Sequence, residues 1–393
     1  QTSIFRGLSV TEGLSDLVVN ALYKDSIGYV WIGTGTSLER FDGVHLKRYL
    51  VSGNNEKLKR VNAIAETENN QIWMGNGMGL WRVNHEKREL DAIAAETIKC
   101  GVRSLLSDGK GALYIGSEAG LFIYRKGQLE HILIDPNVLS AANIINGLSF
   151  GENGILWMAT SSGLYSLELE NRKIVPYYFI VEDKHICSYT NPVIYLGTMG
   201  QGIACFDTRT HKFDSYLDVG CNVISSLSCD GKDLLYVGTD GNGVHFISTK
   251  QGRIVRSFQH EVGKGGSLRS NSVYSLLVDR DGLIWVGFYQ LGLDYTLYQS
   301  ELFRTYSYPP YFDTKDMPVR TITFRGSEKL IGSRDGLYFI DEQRGRYAGF
   351  SAPQLRSSMI ICSYAFQGKY YVGTYGGGMY VLDPVTLTIS DFE

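Results

Sequence analysis

LIWVGFYQLGLD, residues 283–294, is one of nine copies of a short phrase. Others read YVWIGTGTSLERFD from Tyr29, QIWMGNGMGLWRVN from Gln71, LLYVGTDGNGVHFIS from Leu234 and KYYVGTYGGGMYVLD from Lys369. Eight copies place a glycine after the apolar run: Gly33, Gly75, Gly116, Gly197, Gly238, Gly287, Gly332 and Gly373. In the fourth copy Ala159 stands there instead. These nine positions recur every 38 to 49 residues, the signature of a repeat architecture.

Each copy has a physical reading. Ile-Trp-Val-Gly or Leu-Tyr-Val-Gly is a β-branched and aromatic run, suited to a strand buried on both faces. The glycine lets a neighbouring chain or side chain approach closely. Two to five residues rich in Gly, Asp, Asn and Ser follow, which is hairpin chemistry. A second strand comes next, and a looser one after it. Before each phrase lies a further apolar run, such as residues 273–278, closed by a polar turn such as Asp279-Arg280-Asp281-Gly282. The unit is therefore four antiparallel strands, A to D, with no helical period between units. The fold class predicted is all-β: a β-propeller of nine four-stranded blades.

Composition agrees with many short strands joined by tight turns: 45 Gly and 26 Tyr in 393 residues. The net charge of −3 gives no reason to expect nucleic acid as a partner of this domain. No apolar run approaches the length of a membrane-spanning helix. The first residue, Gln1, suits a mature product or a trimmed piece. The six cysteines show no metal-ligand pair spacing and read as small buried apolar residues, with a Cys221–Cys229 bridge as the disfavoured alternative. The seven histidines fall in different blades without ligand spacing. Thr239-Asp240-Gly241-Asn242-Gly243 resembles an ion-binding loop but is the recurring hairpin turn. No cofactor or metal is expected.

Seven phrases precede the consecutive prolines Pro309-Pro310, and two follow. Prolines there stiffen the chain and remove two backbone donors. The expected division is a seven-bladed propeller over 1–308 and the first two blades of a second over 309–393. Residues 4–10 have no blade of their own and are a candidate for closing a ring. Blade five, with the shortest interval and a weak A strand at 186–189, is expected to be the most irregular.

Asp25-Ser26-Ile27-Gly28-Tyr29-Val30-Trp31-Ile32-Gly33-Thr34 and Asp279-Arg280-Asp281-Gly282-Leu283-Ile284-Trp285-Val286-Gly287 carry a specific resemblance. So does the opening Gly13-Leu14-Ser15-Asp16-Leu17, with Arg40-Phe41-Asp42-Gly43 after it. They resemble the two-component regulator propeller repeat, D-x-x-G-x-[IL]-W-[IV]-G-T-x-x-G-L. The resemblance covers nearly the whole chain, and phrases four, five and eight drift from it. It implies the periplasmic sensor of a Bacteroides-type hybrid two-component system, with two propellers, a small β-sandwich, a transmembrane helix, a histidine kinase and a response regulator. The implied ligand is an oligosaccharide, and the implied output is control of polysaccharide-utilisation genes. A homodimer and a C-terminal membrane tether are implied for the full receptor.

In a propeller the A strands line the channel, and the B–C turns rim one face. The A strands begin with unusually polar residues: Asn20, Asn62, Arg103, Asn146, Ser225, Tyr274 and Arg320. A buried strand does not begin with Asn or Arg unless something satisfies it. Water and neighbouring carbonyls account for the asparagines. Arg103 and Tyr274 also offer a guanidinium fork and an aromatic face to sugar hydroxyls, carboxylates or sulfates. Tyr289 and Gln290 stand in a turn that reads Phe-Tyr-Gln where others read Thr-Asp-Gly. Tyr289 can stack on a sugar or pack on a neighbouring propeller. The expected ligand-binding set is thus Arg103, Tyr274, Tyr289, Gln290, Asn62, Asn146 and Arg320, with no catalytic residues. The competing classes are a propeller-scaffold polysaccharide lyase or glycosidase, and an envelope scaffold protein. Either enzyme needs convergent acids or a base beside Arg103 and Tyr274, which the sequence does not display.

Overall fold

A computed structural model of the chain describes residues 5–51, 58–178, 184–190, 192–262, 266–297, 318–341 and 343–392. Two compact units, Gln1–Ser300 and Glu301–Glu393, divide it. The proline pair that marked the expected boundary lies outside the described residues. The fold is all-β and propeller-like. Among the described residues the helical segments are three single 3-10 turns, Val10–Glu12, Glu68–Asn70 and Ala141–Asn143.

In the first unit, blade one consists of strands Val19–Lys24, Val30–Thr34, Leu38–Phe41 and Leu46–Val51. Blades two to six repeat this antiparallel order from A strands Val61–Thr67, Val102–Ser107, Ile145–Phe150, Lys184–Thr190 and Ile224–Cys229. Blade seven takes Val273–Val278, Leu283–Phe288 and Leu293–Leu297 from its own stretch. Its fourth strand is Arg6–Leu8, paired antiparallel as Arg6↔Tyr295 and Leu8↔Leu293. The A strands of successive blades are neighbours, and that of blade seven lies beside those of both blade six and blade one.

The Asp and Trp of the repeated phrase explain each other. Asp25 Oδ1 accepts the backbone N–H groups of Gly28 and Tyr29 at 2.8 Å, folding the A–B turn. Its other oxygen takes the indole N–H of Trp31 at 2.8 Å. Asp279 does the same for Leu283 and for Trp285, at 3.0 Å in each case. Both tryptophans are buried, and a buried indole N–H requires such an acceptor.

The glycine of the phrase joins one blade to the next. A Cβ on Gly33 would sit 2.5 Å from Val61 Cγ1, on the A strand of blade two. The same test brings Gly116 to Ile145 at 2.8 Å, Gly197 to Ile224 at 2.7 Å and Gly238 to Val273 at 2.8 Å. Gly287 meets Val19 at 2.6 Å, so the contact runs from blade seven to blade one. Each covering residue is fully buried. Blade four has Ala159 in place of glycine, and the register position that should cover it holds Lys184 rather than Val or Ile. Where the hole is missing, the β-branched plug is missing too.

Polar contacts add to the junction between blades seven and one. Lys24 Nζ pairs with Asp279 at 2.9 Å and also with Asp281. Ser275 Oγ donates to the Val19 carbonyl at 3.0 Å, and Arg280 donates to the Asp25 carbonyl at 3.0 Å.

The second unit holds two four-stranded sheets, with A strands Val319–Arg325 and Ile360–Phe366. They pack around Leu330, Phe339, Ile360, Tyr370, Val372 and Leu382. The glycine contact recurs there, between Gly332 and Ile360 at 2.5 Å.

Blades one and two each keep four antiparallel strands but are joined at their outer edges. Their outer strands Leu46–Val51 and Glu89–Ile93 pair in parallel (Leu50↔Glu89, Val51↔Leu90), giving one eight-stranded sheet. The irregularity expected of blade five falls partly outside the described residues; among them its A strand is seven residues long, and the shift between its C and D strands recurs in blade six. The cysteines are not uniformly buried: Cys205 is buried, Cys100, Cys221 and Cys229 are half-buried, and Cys362 is exposed.

The glycine contact gives a test. Gly287→Val would drive a side chain into Val19 and Ser275. It is expected to lower unfolding stability by about 1–3 kcal/mol, as overpacking does. Gly77→Ala, with open space around its Cβ, should leave stability unchanged or slightly raised. Urea midpoints of the two variants measure the difference, and equal midpoints would remove the glycine's packing role.

Candidate functional site

Every A strand carries a β-bulge one residue from its start. The register skips between Val19 and Ala21, Val61 and Ala63, Val102 and Ser104, Ile145 and Gly147, Lys184 and Ile186, Ile224 and Ser226, and Val273 and Ser275. In the second unit it skips between Val319 and Thr321 and between Ile360 and Cys362. The skipped residues include Asn20, Asn62, Arg103, Asn146, Ser225, Tyr274 and Arg320, the whole polar set picked out in the sequence. A bulge places two residues against one and turns the extra side chain out of the pleat. That resolves the conflict of polar residues at the start of core strands. At Val19, Val61, Val102, Ile145, Ile224, Val273 and Ile360 the residue before the bulge is buried against the glycine of another blade, and the bulged residue is released from that packing. Sequence reasoning missed two members, His185 and Ile361, because it looked for polarity rather than for the position after the plug. The structure does not describe the side chain of His185, and Ile361 is exposed.

The B–C turns are stitched over these bulges by backbone bonds. Glu118 N donates to the Gly101 carbonyl at 2.9 Å and Ser161 N to that of Ile144 at 3.0 Å. Gly241 N donates to the Asn271 carbonyl at 2.9 Å, and Gly292 N to the Leu17 carbonyl at 2.8 Å. Turn residues and bulge residues therefore form one surface. Most turns are also closed from within by the hydroxyl after the glycine, as when Thr239 Oγ1 donates to the Gly243 carbonyl at 2.9 Å. Blade seven has Phe288 at that position, fully buried, and its turn projects Tyr289 and Gln290 outward.

The sequence-derived residues divide by what they touch. Asn62 Nδ2 donates to the Val102 carbonyl at 2.8 Å, as foreseen for the asparagines. Arg103 makes three side-chain hydrogen bonds. Its Nη1 donates to Asn146 Oδ1 at 2.8 Å, and its Nε and Nη2 both donate to Glu118 Oε1, at 3.2 and 3.0 Å. Asn146 Nδ2 goes on to Ser161 Oγ at 3.1 Å. The guanidinium named in the sequence thus bonds Glu118 and Asn146. Tyr274 and Tyr289 stack face to face, with centroids 5.1 Å apart and planes at 24°. Tyr289 keeps 49% of its surface exposed, and Gln290 beside it is exposed with a left-handed φ of 63°. Arg320 belongs to the second unit and is exposed there. Arg103 is thus brought together with Asn146, and Tyr274 with Tyr289.

Among the described residues no group of three or more His, Cys, Asp or Glu is placed to hold a metal ion. No helix among them is long and apolar enough to cross a membrane.

The ion pair of Arg103 and Glu118 is exposed, whereas Asn146 is nearly buried. Arg103→Ala is therefore expected to cost at most about 1 kcal/mol of stability. Asn146→Ala, which strands a charged donor and the Ser161 hydroxyl, should cost about 1–3 kcal/mol. Thermal melts of both variants and of the double mutant measure their coupling, and additivity would disprove the network.

Residues 13–36 and 267–290 match the Two component regulator propeller family. A sequence search of curated proteins found no match. Among solved structures, the extracellular domain described as that of hybrid two component system BT3049 from B. thetaiotaomicron aligns with a TM-score of 0.65 at 21% identity, covering 99% of this chain and 54% of that one. The extracellular domain described as that of hybrid two component system BT4673 from the same organism gives 0.64 at 20% identity, with coverage of 99% and 54%. The WD40 beta propeller domain of Doa1 gives 0.60 at 12% identity, over 77% and 98%. The chain thus spans about half the length of the two bacterial domains. The matched segments are the A–B halves of blades one and seven, where the Asp–Trp bonds and the ring-joining glycines lie. This chain carries the two component regulator propeller repeat, in the two blades that meet where its N-terminal strand is taken up.

Proposed function

We propose that the chain is the ligand-sensing portion of an extracytoplasmic receptor of the hybrid two-component type, and that its ligand is an oligosaccharide. One observation carries this reading. Each A strand of the first unit carries a bulge beside the B–C turns, and apart from Arg103, which Glu118 and Asn146 already engage, the bulged residues include three amides (Asn20, Asn62, Asn146), the Ser225 hydroxyl and Tyr274. Sugars are bound by that chemistry: planar hydrogen-bonding groups around an aromatic face. The family match and the extracellular, two-component description of the similar bacterial domains support the setting.

In this reading the first unit is a seven-bladed ring over about 1–308, and 309–393 opens a second ring. The module lies in the periplasm, is tethered through sequence beyond residue 393, and acts as a homodimer in the full receptor. It binds its glycan without turning it over, and signalling controls polysaccharide-utilisation genes. Calorimetry against pools of plant and host glycan oligosaccharides, with chromatography of the recovered sugars, tests it. Saturable binding with the sugars recovered intact is expected. Steady release of reducing ends or unsaturated products would instead establish an enzyme.

A further inference from the structure

We infer that the ligand is an uncharged oligosaccharide and that it contacts the sector formed by blades six, seven and one, leaving the Arg103 side of the ring as structural. This rests on the sensing function proposed above and assigns its ligand class and its position.

The bulge residues fall into two groups. In blades two to four they are tied to protein: Asn62 to a carbonyl, Arg103 to Glu118 and Asn146, and Asn146 to Ser161. In blades six and one they are not. Ser225 Oγ and both polar atoms of the Asn20 amide have no protein partner; in blades two and three such atoms lie off the bulge, at Asn76 Nδ2 and Ser104 Oγ. Polar groups at the rim of a wet channel are met by water, and a sugar hydroxyl can take the place of that water. Between these two blades stands blade seven with the Tyr274–Tyr289 stack.

Three bonds hold this sector together. Leu276 N donates to Ser226 Oγ at 3.1 Å, joining blades six and seven one residue from Ser225. Ser275 Oγ donates to the Val19 carbonyl at 3.0 Å, joining the residues next to Tyr274 and Asn20. Gly292 N donates to the Leu17 carbonyl at 2.8 Å, which pins the Tyr289 turn over the start of blade one. An exposed tyrosine face between hydrogen-bonding groups on both sides suits the C–H face and flanking hydroxyls of a pyranose.

Charge sets the class. Arg103 is neutralised by Glu118. Arg269, which reaches the Leu291 carbonyl in the blade-seven turn, is paired with Asp294 at 2.7 Å. Two carboxylates stand in the same sector: Asp240, bonded to the Ser272 hydroxyl, and Asp16, which accepts from Val18 N at 3.0 Å. A uronic acid or sulfate placed there meets like charge and no free cation among these groups, whereas a neutral sugar does not.

The test is calorimetry of the intact chain against two panels run in parallel. One holds neutral gluco-, galacto-, manno- and xylo-oligosaccharides, and the other holds oligogalacturonates and sulfated disaccharides. Binding is expected from the neutral panel only. Tyr289→Ala should weaken it tenfold or more, Tyr289→Phe should retain it within threefold, and Arg103→Gln should leave it within twofold. Melting curves check that each variant is folded. Acidic sugars binding, with loss in Arg103→Gln and no change in Tyr289→Ala, would overturn the inference while sustaining the sensing function. Binding by neither panel would overturn both.

Discussion

Every blade of the first unit except the fourth leaves a gap in its second strand, and the next blade fills it. This contact between a glycine and a Val or Ile is the constraint on which the rest of the molecule depends. It sets how closely adjacent sheets approach, because any Cβ on Gly33, Gly197 or Gly287 would overlap its partner. It also fixes which residue of each A strand lies between blades. Burial of each plug contributes about 1.5–3 kcal/mol, repeated at nearly every junction. The contact is directional, glycine ahead and plug behind, and so it imposes one sense of order on the ring.

The bulge accompanies this contact and also recurs after Lys184 and after the exposed Val319. A strand that must wedge its first residue between two sheets and then rejoin its neighbour's pleat has one residue too many on that side. The extra residue is released toward the rim, free of the packing rules that govern its neighbours. That freedom explains why it is Asn in blades one, two and four, Arg in blade three, Ser in blade six and Tyr in blade seven. Packing fixes the position, and the chemistry at the position is left open to other demands.

Much of this was legible in the sequence. The nine phrases, the four-strand unit and the polar A-strand starts are local patterns, and a glycine flanked by β-branched and aromatic residues announces a close approach. The partner of that glycine was not legible, because Val61 and Gly33 are brought together by the ring and not by spacing. Arg103 was legible as unusual but not as satisfied, since Glu118 and Asn146 reach it from a turn and from another blade. The parallel pairing of Leu50 with Glu89 likewise depends on how two outer strands happen to diverge. The Phe-Tyr-Gln turn was visible as an exception, and the structure supplies its cause: Phe288 takes the core position that a capping hydroxyl fills elsewhere.

The strand Arg6–Leu8 is synthesised well before the blade it completes. Arg6 must wait for Tyr295, roughly 290 residues later, which at ordinary elongation speeds is about 15–60 s. During that interval it is an unpaired strand with no sheet to join. Its make-up suits the delay: three residues, with Gly7 in the middle, offer a poor template for mispairing with other nascent chains. When blade seven appears, the guanidinium of Arg269 lies over Gly7, which has no side chain to obstruct it. Completion of the ring therefore reports that translation has passed the seventh repeat. A chain cut short before Leu297 keeps an open edge, and proteases and chaperones can tell it from a finished one.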